Sequence, residues 1–386
     1  MNRYEWIGCG ISAVLILTFG SMTECALAQN TEDCDAICAA GAELIDRFDL
    51  REAPTPVRER AGWAPPVKIV VADVTAADFI RGIAPDAEVI GVPGLRNFGG
   101  IAEVIAGADV LIGLCSPELI ELGRDLKWIQ LLNAGADSCT SIPEVAERGI
   151  LVTNLQRIQG PHMAEHAIAM MFALARSLPH FVIDQSRGSW SLGLRGTGDL
   201  QLFEVEDRNM LVVGLGGIGT EVAKRAAGLG MHVQATRNSR REGPAYVEYV
   251  GLADEALDLA RNADVVVNAT PLTPATQDMF DAEFFAAMKP TAYFINIGRG
   301  ESVVTDDLTA ALQAGQIAGA GLDVTNPEPL PPGHPLWGMT NVILTPHVAT
   351  RSDLRDERTA VMVAENLRRY LRGEPMLSVV DLERGY

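Results

Sequence analysis

The sequence predicts an α/β protein with two doubly wound parallel sheets and a cleft between them, the Rossmann/flavodoxin-like class. From Val67 onward, short apolar strands alternate with amphipathic helices every ~18 to 25 residues, which is typical of βαβ units. This alternation gives way after Asn154 to a helical stretch over Met163–Leu178, and a second series begins at Asn209. The 386 residues, 48% of them hydrophobic, also exceed the ~250–300 residues that one core commonly holds. Two domains are therefore expected.

The predicted strands are short apolar runs, as expected for parallel strands that are buried on both faces. The first series comprises VKIVVAD, AEVIGV, ADVLIGL, KWIQLLNA and ILVTN, between residues 67 and 154. The second series comprises NMLVV, HVQAT, DVVVNAT, AYFINIG, AGAGLDV and NVILTP, between residues 209 and 346. A final helix over Asp353–Arg372 has no strand of its own, and we expect it to cross back to the first domain.

The first 28 residues differ from the rest of the chain. Arg3 precedes an apolar stretch from Ile7 to Phe19, and Ala26-Leu27-Ala28 then gives a small-x-small pattern. This layout is typical of a cleaved secretory signal peptide, and the 13-residue stretch is short for a membrane span of ~20 residues. We therefore expect a periplasmic or secreted protein with no stable membrane span after cleavage of residues 1–28. The alternatives are an uncleaved anchor and a cytoplasmic protein with an overlong start.

Residues 29–66 are rich in proline and charge, and we interpret them as an extension or linker with a short helix over Asp35–Phe48. The segment contains Cys34 and Cys38, two of the six cysteines. In an oxidising compartment this pair would close a small disulfide loop; otherwise the two thiols stay reduced, and both alternatives are open. A metal site is not expected, because no histidine lies nearby to complete a ligand set.

The chain is strongly acidic, with a formal net charge of −19 at pH 7. Nucleic acid and anionic membranes would be repelled by this charge, so we do not expect either as a partner. Net charge says nothing about the fold or the chemistry. The candidate function therefore depends on motifs.

The main nucleotide-binding motif is Gly214-Leu215-Gly216-Gly217-Ile218-Gly219, which follows the apolar run MLVV. A lone G-x-G-x-x-G is weak evidence in a chain with 37 glycines, but the strand before it and the helix after it favour a dinucleotide-binding turn. Gly214 would make the tight turn, Gly216 would admit the pyrophosphate, and Gly219 would let helix and strand pack closely. Free amides at the helix start, at Gly217 and Ile218, would face the phosphates.

The end of the second strand in this series indicates the cofactor. An NAD site usually has Asp or Glu there, which accepts hydrogen bonds from the ribose hydroxyls. Here the position holds Arg237, and Ser239 and Arg240 follow closely. These side chains would bind a 2′-phosphate, which an acidic group would repel. We therefore expect NADP to be preferred and NAD to be possible, with a solvated basic turn as the alternative interpretation.

Further motifs stand in a fixed order along the chain: Ala164-Glu165-His166 before the glycine motif, and Ile295–Gly300, Leu322–Leu330 and Thr345–Val348 after it. From about Val67 to the end, this ordered set closely resembles the D-isomer-specific 2-hydroxyacid dehydrogenases. The resemblance implies a substrate domain of residues 67–160 and 350–386 and a dinucleotide-binding domain of residues 161–349. It also implies a homodimer and hydride transfer between the nicotinamide cofactor and a small 2-hydroxy or 2-oxo acid, with glyoxylate and hydroxypyruvate as candidates.

The resemblance implies catalytic and cofactor-binding roles for particular residues. Arg299 would bind the substrate carboxylate and polarise the reacting carbonyl. His347 would be the general acid in reduction and the base in oxidation, with Glu328 orienting the imidazole and favouring its charged form. Asp323 matches a position that contacts the nicotinamide amide, and Thr270-Pro271 matches a loop along the cofactor.

The resemblance also implies a carboxylate-binding loop in the first domain. The matching segment is Asn133–Asp137, in which the backbone amides of Ala134 and Gly135 would bind the substrate. Asn133 stands where glycine is more usual. Other prominent side chains are interpreted as structural: His162 and His166 as capping or packing residues, and Trp190 as packing near the start of the dinucleotide domain.

Other functions on the same fold are open. A nucleotide-sensing binding protein, as in the C-terminal-binding corepressors, keeps the same catalytic trio, so motifs alone do not exclude that role. Formate oxidation is disfavoured because formate dehydrogenases of this superfamily have Gln where Glu328 stands. Phosphoglycerate dehydrogenase activity is possible, although the 39 residues after His347 would not hold an extra regulatory domain.

Overall fold

The computed structural model describes residues 31–190 and 202–386, so the signal peptide predicted for residues 1–28 lies outside the described residues. The described chain forms two sheets, in which every strand pair is parallel. The predicted fold class, α/β with two doubly wound parallel sheets, is confirmed. We call each sheet with its covering helices the five-stranded body and the seven-stranded body.

The five-stranded sheet comprises β1 (Lys68–Val71), β2 (Glu88–Gly91), β3 (Val110–Gly113), β4 (Trp128–Leu131) and β5 (Leu151–Thr153). The spatial order is β2-β1-β3-β4-β5, so the strand order reverses beside β1. Strands β3 and β4 are buried along their whole length because helices cover both faces. Ligands of such sheets bind at the carboxyl ends of the strands, which directs attention to the loops there.

Short helices alternate with these strands and begin at residues that suit a helix start. Asp73 accepts a hydrogen bond from the Ala76 amide (2.7 Å), and Ser116 accepts one from the Leu119 amide (3.2 Å). The helices are α1 (Thr31–Phe48), α2 (Val74–Ile83), α3 (Phe98–Ala102), α4 (Pro117–Leu122), α5 (Asp137–Thr140) and α6 (Pro143–Glu147). Helix α7 (Gly160–Ala175) then crosses to the seven-stranded body, where Ala164, Met170 and Met171 join the core.

The seven-stranded sheet has the order β12-β11-β10-β9-β6-β7-β8. Its strands are β6 (Asn209–Val213), β7 (His232–Arg237), β8 (Tyr249–Leu252), β9 (Val265–Asn268), β10 (Tyr293–Asn296), β11 (Gly319–Leu322) and β12 (Val342–Leu344). Its helices are α8 (Leu178–Ser186), α9 (Gly217–Gly228), α10 (Ala256–Ala260), α11 (Ala282–Ala287) and α12 (Thr305–Gln313). Short 3-10 turns occupy Val57–Glu59, Ala253–Glu255, Gly300–Ser302 and Pro335–Gly338.

The last helix, α13 (Arg355–Arg372), returns to the five-stranded body, as the sequence predicts. Val363, Leu367 and Tyr370 lie in one core cluster with β1 and β3, and Tyr370 stacks on Trp128 with ring centroids 4.9 Å apart. The helix ends at Gly373, whose φ of 68° is the left-handed conformation that commonly closes a helix.

The segment predicted as an extension packs on this same helix. Leu44 and Phe48 of α1 and Leu50 share an apolar cluster with Met362 and Leu377. A salt bridge from Glu52 to Arg369 (2.8 Å) joins the same two regions. Residues 38–52 therefore lie against the five-stranded body and not free in solvent.

Two expectations about individual side chains have different outcomes. Trp190 does not pack near the start of the dinucleotide domain, because its side chain is 97% exposed, and that interpretation is wrong. Cys115 and Cys139 form a disulfide with their Cα atoms 5.1 Å apart, and Cys38 carries a free thiol. The structure therefore agrees with the reduced alternative at Cys38 and not with a Cys34–Cys38 disulfide, while the Cys34 side chain lies outside the described part of the structure.

The described helices do not individually meet the requirements of a membrane span. Across residues 31–190 and 202–386, no single helix combines the necessary length and apolarity. Helices α7 and α8, which are bent by 71° to each other, meet the criterion only as a pair and only by length and composition.

Candidate active site

The glycine motif forms a tight turn between β6 and α9. Gly214 has a φ of 97°, a conformation that side chains rarely adopt. A Cβ on Gly219 would lie 2.1 Å from the backbone oxygen of Gly214, so only glycine allows this approach of helix and strand. Gly216, by contrast, has open space at its Cβ position. Helix α9 begins at Gly217 and Ile218 with no side-chain cap, so its first amides are free to bind phosphate.

A cavity of about 550 Å³ opens beside this turn at the carboxyl ends of β6, β7 and β9. Gly214 and Gly216 line one side, and Thr270 and Pro271 line another. The Thr270 amide and hydroxyl both bond to Asn268 Oδ1 (3.0 and 2.7 Å), which fixes this wall. The bare glycine backbone and the free helix amides fit the pyrophosphate of a nicotinamide dinucleotide.

The far end of the cavity is basic. Arg237, Ser239 and Arg240 line it, as the sequence predicts for a phosphate site. Burial lowers the pKa of Arg237, and the positive charges of Arg240, Arg157 and Arg51 lower it further. Within the described residues, the buried Nε of Arg237 has no hydrogen-bond partner. An anion bound here would relieve the repulsion among these guanidinium groups.

Arg157 was not identified from the sequence. It lies in the crossover from β5 to α7, and a Cβ on Gly217 would be 2.8 Å from Arg157 Cγ. Its guanidinium pairs with Asp49 (3.0 Å), which connects the glycine turn to the segment after α1. No local motif surrounds Arg157, so only the folded chain reveals this contact.

His347 and Glu328 form a hydrogen-bonded pair, with His347 Nδ1 2.7 Å from Glu328 Oε1. Both side chains are partly exposed. His347 has a φ of 52°, and its amide donates to the backbone oxygen of Asp323 (2.8 Å). Because Nδ1 faces the carboxylate, Nε2 is left to face a substrate. The structure brings these two residues together, as the sequence motifs indicated.

Asp323 anchors the loop that carries His347. Its carboxylate is 2% exposed. Oδ1 accepts from the Thr345 hydroxyl (2.7 Å) and the Val348 amide (2.9 Å), and Oδ2 accepts from the Ala349 amide (3.0 Å). His166 Nε2 lies 2.9 Å from Thr345 Oγ1, which extends the network into α7. Both oxygens of Asp323 are therefore engaged within the protein, and His166 takes the packing role expected of it.

Arg299 crosses the cleft to the five-stranded body. Its Nε and Nη2 donate to Asp137 Oδ1 (3.0 and 2.8 Å), and its Nη1 donates to the Gly298 oxygen (3.0 Å). Arg299 lies so close to Gly135 that a Cβ there would be 1.6 Å from Nη2. The structure thus brings Arg299 to the predicted carboxylate loop, but the guanidinium already holds an anion.

The two amides assigned to this loop differ in availability. The Ala134 amide donates to Gln159 Oε1 (3.2 Å), so it is not free for a ligand. No group in the described residues accepts a hydrogen bond from the Gly135 amide. Gly135 and Arg299 therefore form the better-supported part of the predicted carboxylate site.

Comparison with protein families matches residues 168–349 to the NAD-binding domain of the D-isomer-specific 2-hydroxyacid dehydrogenases. A glyoxylate reductase/hydroxypyruvate reductase from Homo sapiens is 36% identical over 289 residues, which cover 72% of this chain and 85% of the relative. A glyoxylate reductase from Korarchaeum cryptofilum is 36% identical over 290 residues, which cover 73% of this chain and 86% of the relative.

Solved structures give the same result. An NADPH-dependent glyoxylate/hydroxypyruvate reductase from Sinorhizobium meliloti, in complex with NADP and sulfate, has a TM-score of 0.68 at 28% identity and covers 83% of this chain and 99% of that chain. A D-isomer-specific 2-hydroxyacid dehydrogenase from Xanthobacter autotrophicus, in complex with NADPH and MES, has a TM-score of 0.69 at 28% identity and covers 84% and 100%. The chain therefore belongs to the D-isomer-specific 2-hydroxyacid dehydrogenase family and is an NAD(P)-dependent oxidoreductase that acts on small 2-hydroxy or 2-oxo acids.

Proposed function

We propose that this protein is an NADPH-preferring reductase of small 2-oxo acids, with glyoxylate and hydroxypyruvate as the substrate candidates. The observation that carries the proposal is the His347–Glu328 pair (2.7 Å), together with the contact of Arg299 with the loop at Gly135 and Asp137. Relatives named for glyoxylate and hydroxypyruvate reduction support the choice of acids. The nicotinamide cofactor would supply the hydride.

In this mechanism each side chain has a separate task. Arg299 and the Gly135 amide bind the substrate carboxylate and orient the carbonyl carbon. The protonated His347 donates from Nε2 to the carbonyl oxygen as the alkoxide forms, and it takes the proton back in oxidation. Glu328 keeps Nδ1 protonated and stabilises the imidazolium. Asp323 holds the backbone that positions His347.

The direct test is the initial rate of NADPH and NADH oxidation by the purified protein with glyoxylate, hydroxypyruvate, pyruvate and phenylpyruvate. We expect turnover with NADPH and at least one of glyoxylate and hydroxypyruvate. Cofactor binding without turnover on any acid would instead favour the nucleotide-sensing alternative on the same fold.

The preference for NADP rests on the basic end of the cavity. Arg237, Ser239 and Arg240 line the place where the adenosine ribose lies in this fold. We expect Arg237→Asp to lower kcat/KM for NADPH at least ~tenfold relative to NADH, because a carboxylate repels the 2′-phosphate. Arg241→Ala is the matched control, since Arg241 pairs with Glu255 (2.7 Å). An unchanged ratio of the two cofactor efficiencies would refute the assigned phosphate site.

The proposal includes a division of labour between the two bodies. Residues 67–160 and 350–386 form the substrate domain, and residues 161–349 form the dinucleotide-binding domain. The support is that α13 shares a core with β1 and β3, whereas α7 shares one with β6 and β9. Limited proteolysis tests the boundaries, because cleavage within the crossovers near residues 155–160 and 349–355 should be slowed by cofactor and substrate.

A homodimer completes the proposed assembly. Helix α8 has no buried residue, and Leu178 and Val182 expose apolar side chains beside the exposed Trp190. Such a surface is typical of an interface between subunits. Light scattering should give twice the chain mass, and Val182→Glu should lower it to the monomer value; a monomeric wild-type protein would contradict this assembly.

We also propose that the protein is exported to the periplasm or secreted. Besides the predicted leader, the Cys115–Cys139 disulfide fits an oxidising compartment. Mass spectrometry of the native protein should find an N-terminus near Gln29. Soluble protein that begins at Met1 or Asn2 would instead favour the cytoplasmic alternative.

A further inference from the structure

Residues 381–386 reach from the five-stranded body into the cofactor cavity. The segment starts within the core of the five-stranded body, where Val380 is buried and Leu382 packs against it. It ends at Tyr386, which lines the cavity and contacts Asn238 after β7. Tyr386 is thus a cavity residue that the seven-stranded body does not supply.

The segment has a defined shape. Asp381 Oδ1 accepts hydrogen bonds from the amides of Glu383 and Arg384 (both 3.0 Å). The Asp381 amide donates to the Tyr386 oxygen (3.1 Å), and the Gly385 amide donates to the Asp381 oxygen (2.9 Å). These four bonds close the segment into a compact turn. Tyr386 is therefore held in place by its own backbone.

The turn rests on the wall of the cavity. A Cβ on Gly385 would lie 3.2 Å from Thr273 Cγ2, and Thr273 lines the cavity after β9. Asn238 Nδ2 donates to the Tyr386 hydroxyl at 3.2 Å. Tyr386 is thereby fixed against two separate loops of the seven-stranded body.

The position of Asn238 identifies the half of the cofactor that Tyr386 faces. Asn238 follows Arg237 directly after β7, where the adenosine ribose binds in this fold. The nicotinamide must lie on the other side of the glycine turn, toward His347. A phenol ring beside the adenosine ribose is suited to contact the adenine face, since aromatic side chains stack on nucleobases.

We propose that Tyr386 is a cofactor-binding residue that the five-stranded body contributes to the adenosine half of the site. This inference rests on the proposed NADP-binding function. It has a further consequence: because Tyr386 is anchored in the five-stranded body, an adenosine group that contacts both Tyr386 and the loop after β7 would link the two bodies.

The test compares Tyr386→Ala and Tyr386→Phe with the wild-type protein. Glu383→Ala is the matched control, because Glu383 is exposed in the same turn and does not line the cavity. Dissociation constants are measured for NADPH by fluorescence, and for adenosine 2′,5′-bisphosphate and nicotinamide mononucleotide by calorimetry. The two half-molecules separate adenosine contacts from nicotinamide contacts.

We expect Tyr386→Ala to weaken NADPH and adenosine 2′,5′-bisphosphate by roughly tenfold each, the effect of losing one base–aromatic stack. Nicotinamide mononucleotide should bind as to wild type. Tyr386→Phe, which keeps the ring and loses only the hydroxyl, should weaken both adenosine ligands by about threefold or less. Glu383→Ala should match wild type.

Several outcomes would overturn the inference. Unchanged affinity in Tyr386→Ala would show that the ring does not contact the cofactor, and tighter binding would show that it blocks the cavity. An equal loss of both half-molecules would mean a general disturbance of the fold. If wild-type protein itself fails to bind NADPH, the proposed function fails first, and the two failures are thereby distinguished.

Discussion

Two loops of this enzyme are suited to bind anions, and they differ in how far their binding groups are free. The glycine turn, residues 214–219, presents free amides and open space to the cavity. The carboxylate loop, residues 133–137, is already engaged: its Ala134 amide binds Gln159, and its Asp137 binds Arg299. One site is ready for its ligand, whereas the other must exchange internal partners for it.

The difference follows from how each loop is built. The glycine turn is defined within six residues, because Gly214 and Gly219 contact each other. The carboxylate loop depends on partners far away in sequence, because Asp137 and Arg299 are 162 positions apart. A local turn keeps its geometry without a ligand, whereas a site made from two bodies depends on how the cleft is filled.

The largest expected effect tests whether the two loops act separately. We expect Arg299→Ala and His347→Ala each to lower kcat by about 10²- to 10⁴-fold, because each removes a group that stabilises the transition state. The dissociation constant of NADPH, measured by fluorescence titration, should stay near the wild-type value. Arg124→Ala, an exposed arginine on the five-stranded body, is the control. A large loss of NADPH affinity in either variant would mean that the two sites are not separable.

A substitution in the glycine turn should instead weaken NADPH binding. In Gly219→Ala the new Cβ would lie 2.1 Å from the Gly214 oxygen, and backbone atoms cannot move away cheaply. Such overpacking costs ~1–3 kcal/mol, which corresponds to a rise of about 5- to 150-fold in the NADPH dissociation constant. Gly228→Ala, in the same helix with nothing within 4 Å, should bind NADPH normally and be slightly more stable. Equal behaviour of the two variants would disprove the role of close packing at Gly219.

The same contrast explains what could be predicted from sequence. Parallel sheets and the glycine turn are encoded locally, by apolar runs at regular spacing and by glycines within one turn. The pairing of His347 with Glu328 was accessible through a motif order shared with a family. Arg237 and Arg240 could be assigned to the cavity from the sequence because they stand at and just after the end of β7, and both line it.

The remaining site residues have no local signal. From the sequence, Asp137 was only a member of the loop whose backbone amides were expected to bind the substrate. Its side-chain contact with Arg299 joins residues that are far apart in sequence, so only the folded chain shows it. Arg157 and Tyr386 contact the cofactor region from outside the seven-stranded body. The disulfide joins Cys115 to Cys139, which are 24 positions apart. The sequence analysis considered a disulfide only for Cys34 and Cys38, because these two lie close together in the chain.

A smaller effect concerns the pH dependence of stability and arises at the start of α7, next to Gln159, which binds the Ala134 amide of the carboxylate loop. His162 is 7% exposed, and burial together with the charges of Arg358 and Arg355 lowers its pKa to about 4. In the unfolded chain the His162 imidazole has its ordinary pKa of 6.5 and is protonated below that pH, whereas in the folded protein it stays neutral down to about pH 4. The free energy of unfolding therefore falls as the pH drops through 6.5 toward 4. Between pH 7.5 and 5.5 the loss is about 1 kcal/mol.

His162→Gln, which cannot take up a proton, should remove this part of the pH dependence. Urea unfolding at pH 7.5 and 5.5 measures the free energy of unfolding for both proteins. His180→Gln provides the comparison at a partly exposed histidine on α8, which lies 3.5 Å from Asp184. If His162→Gln and wild type lose equal stability over this range, the acid sensitivity of α7 has another source.

The smallest expected effect concerns Asp137 in the carboxylate loop. Weakening its bond to Arg299 would make this loop more similar to the glycine turn, whose binding groups are free. Asp137 holds the Nε and Nη2 donors of Arg299, the edge that a substrate carboxylate would need. Asp137→Asn removes a negative charge that competes with the substrate, although partial exposure of both side chains limits its strength. We expect KM for the 2-oxo acid to fall about threefold while the NADPH dissociation constant stays unchanged. Asp125→Asn, an exposed carboxylate on the same body, is the control. A rise in KM would show the opposite role, in which Asp137 keeps Arg299 oriented for the substrate, and the carboxylate loop would then be as preorganised as the glycine turn.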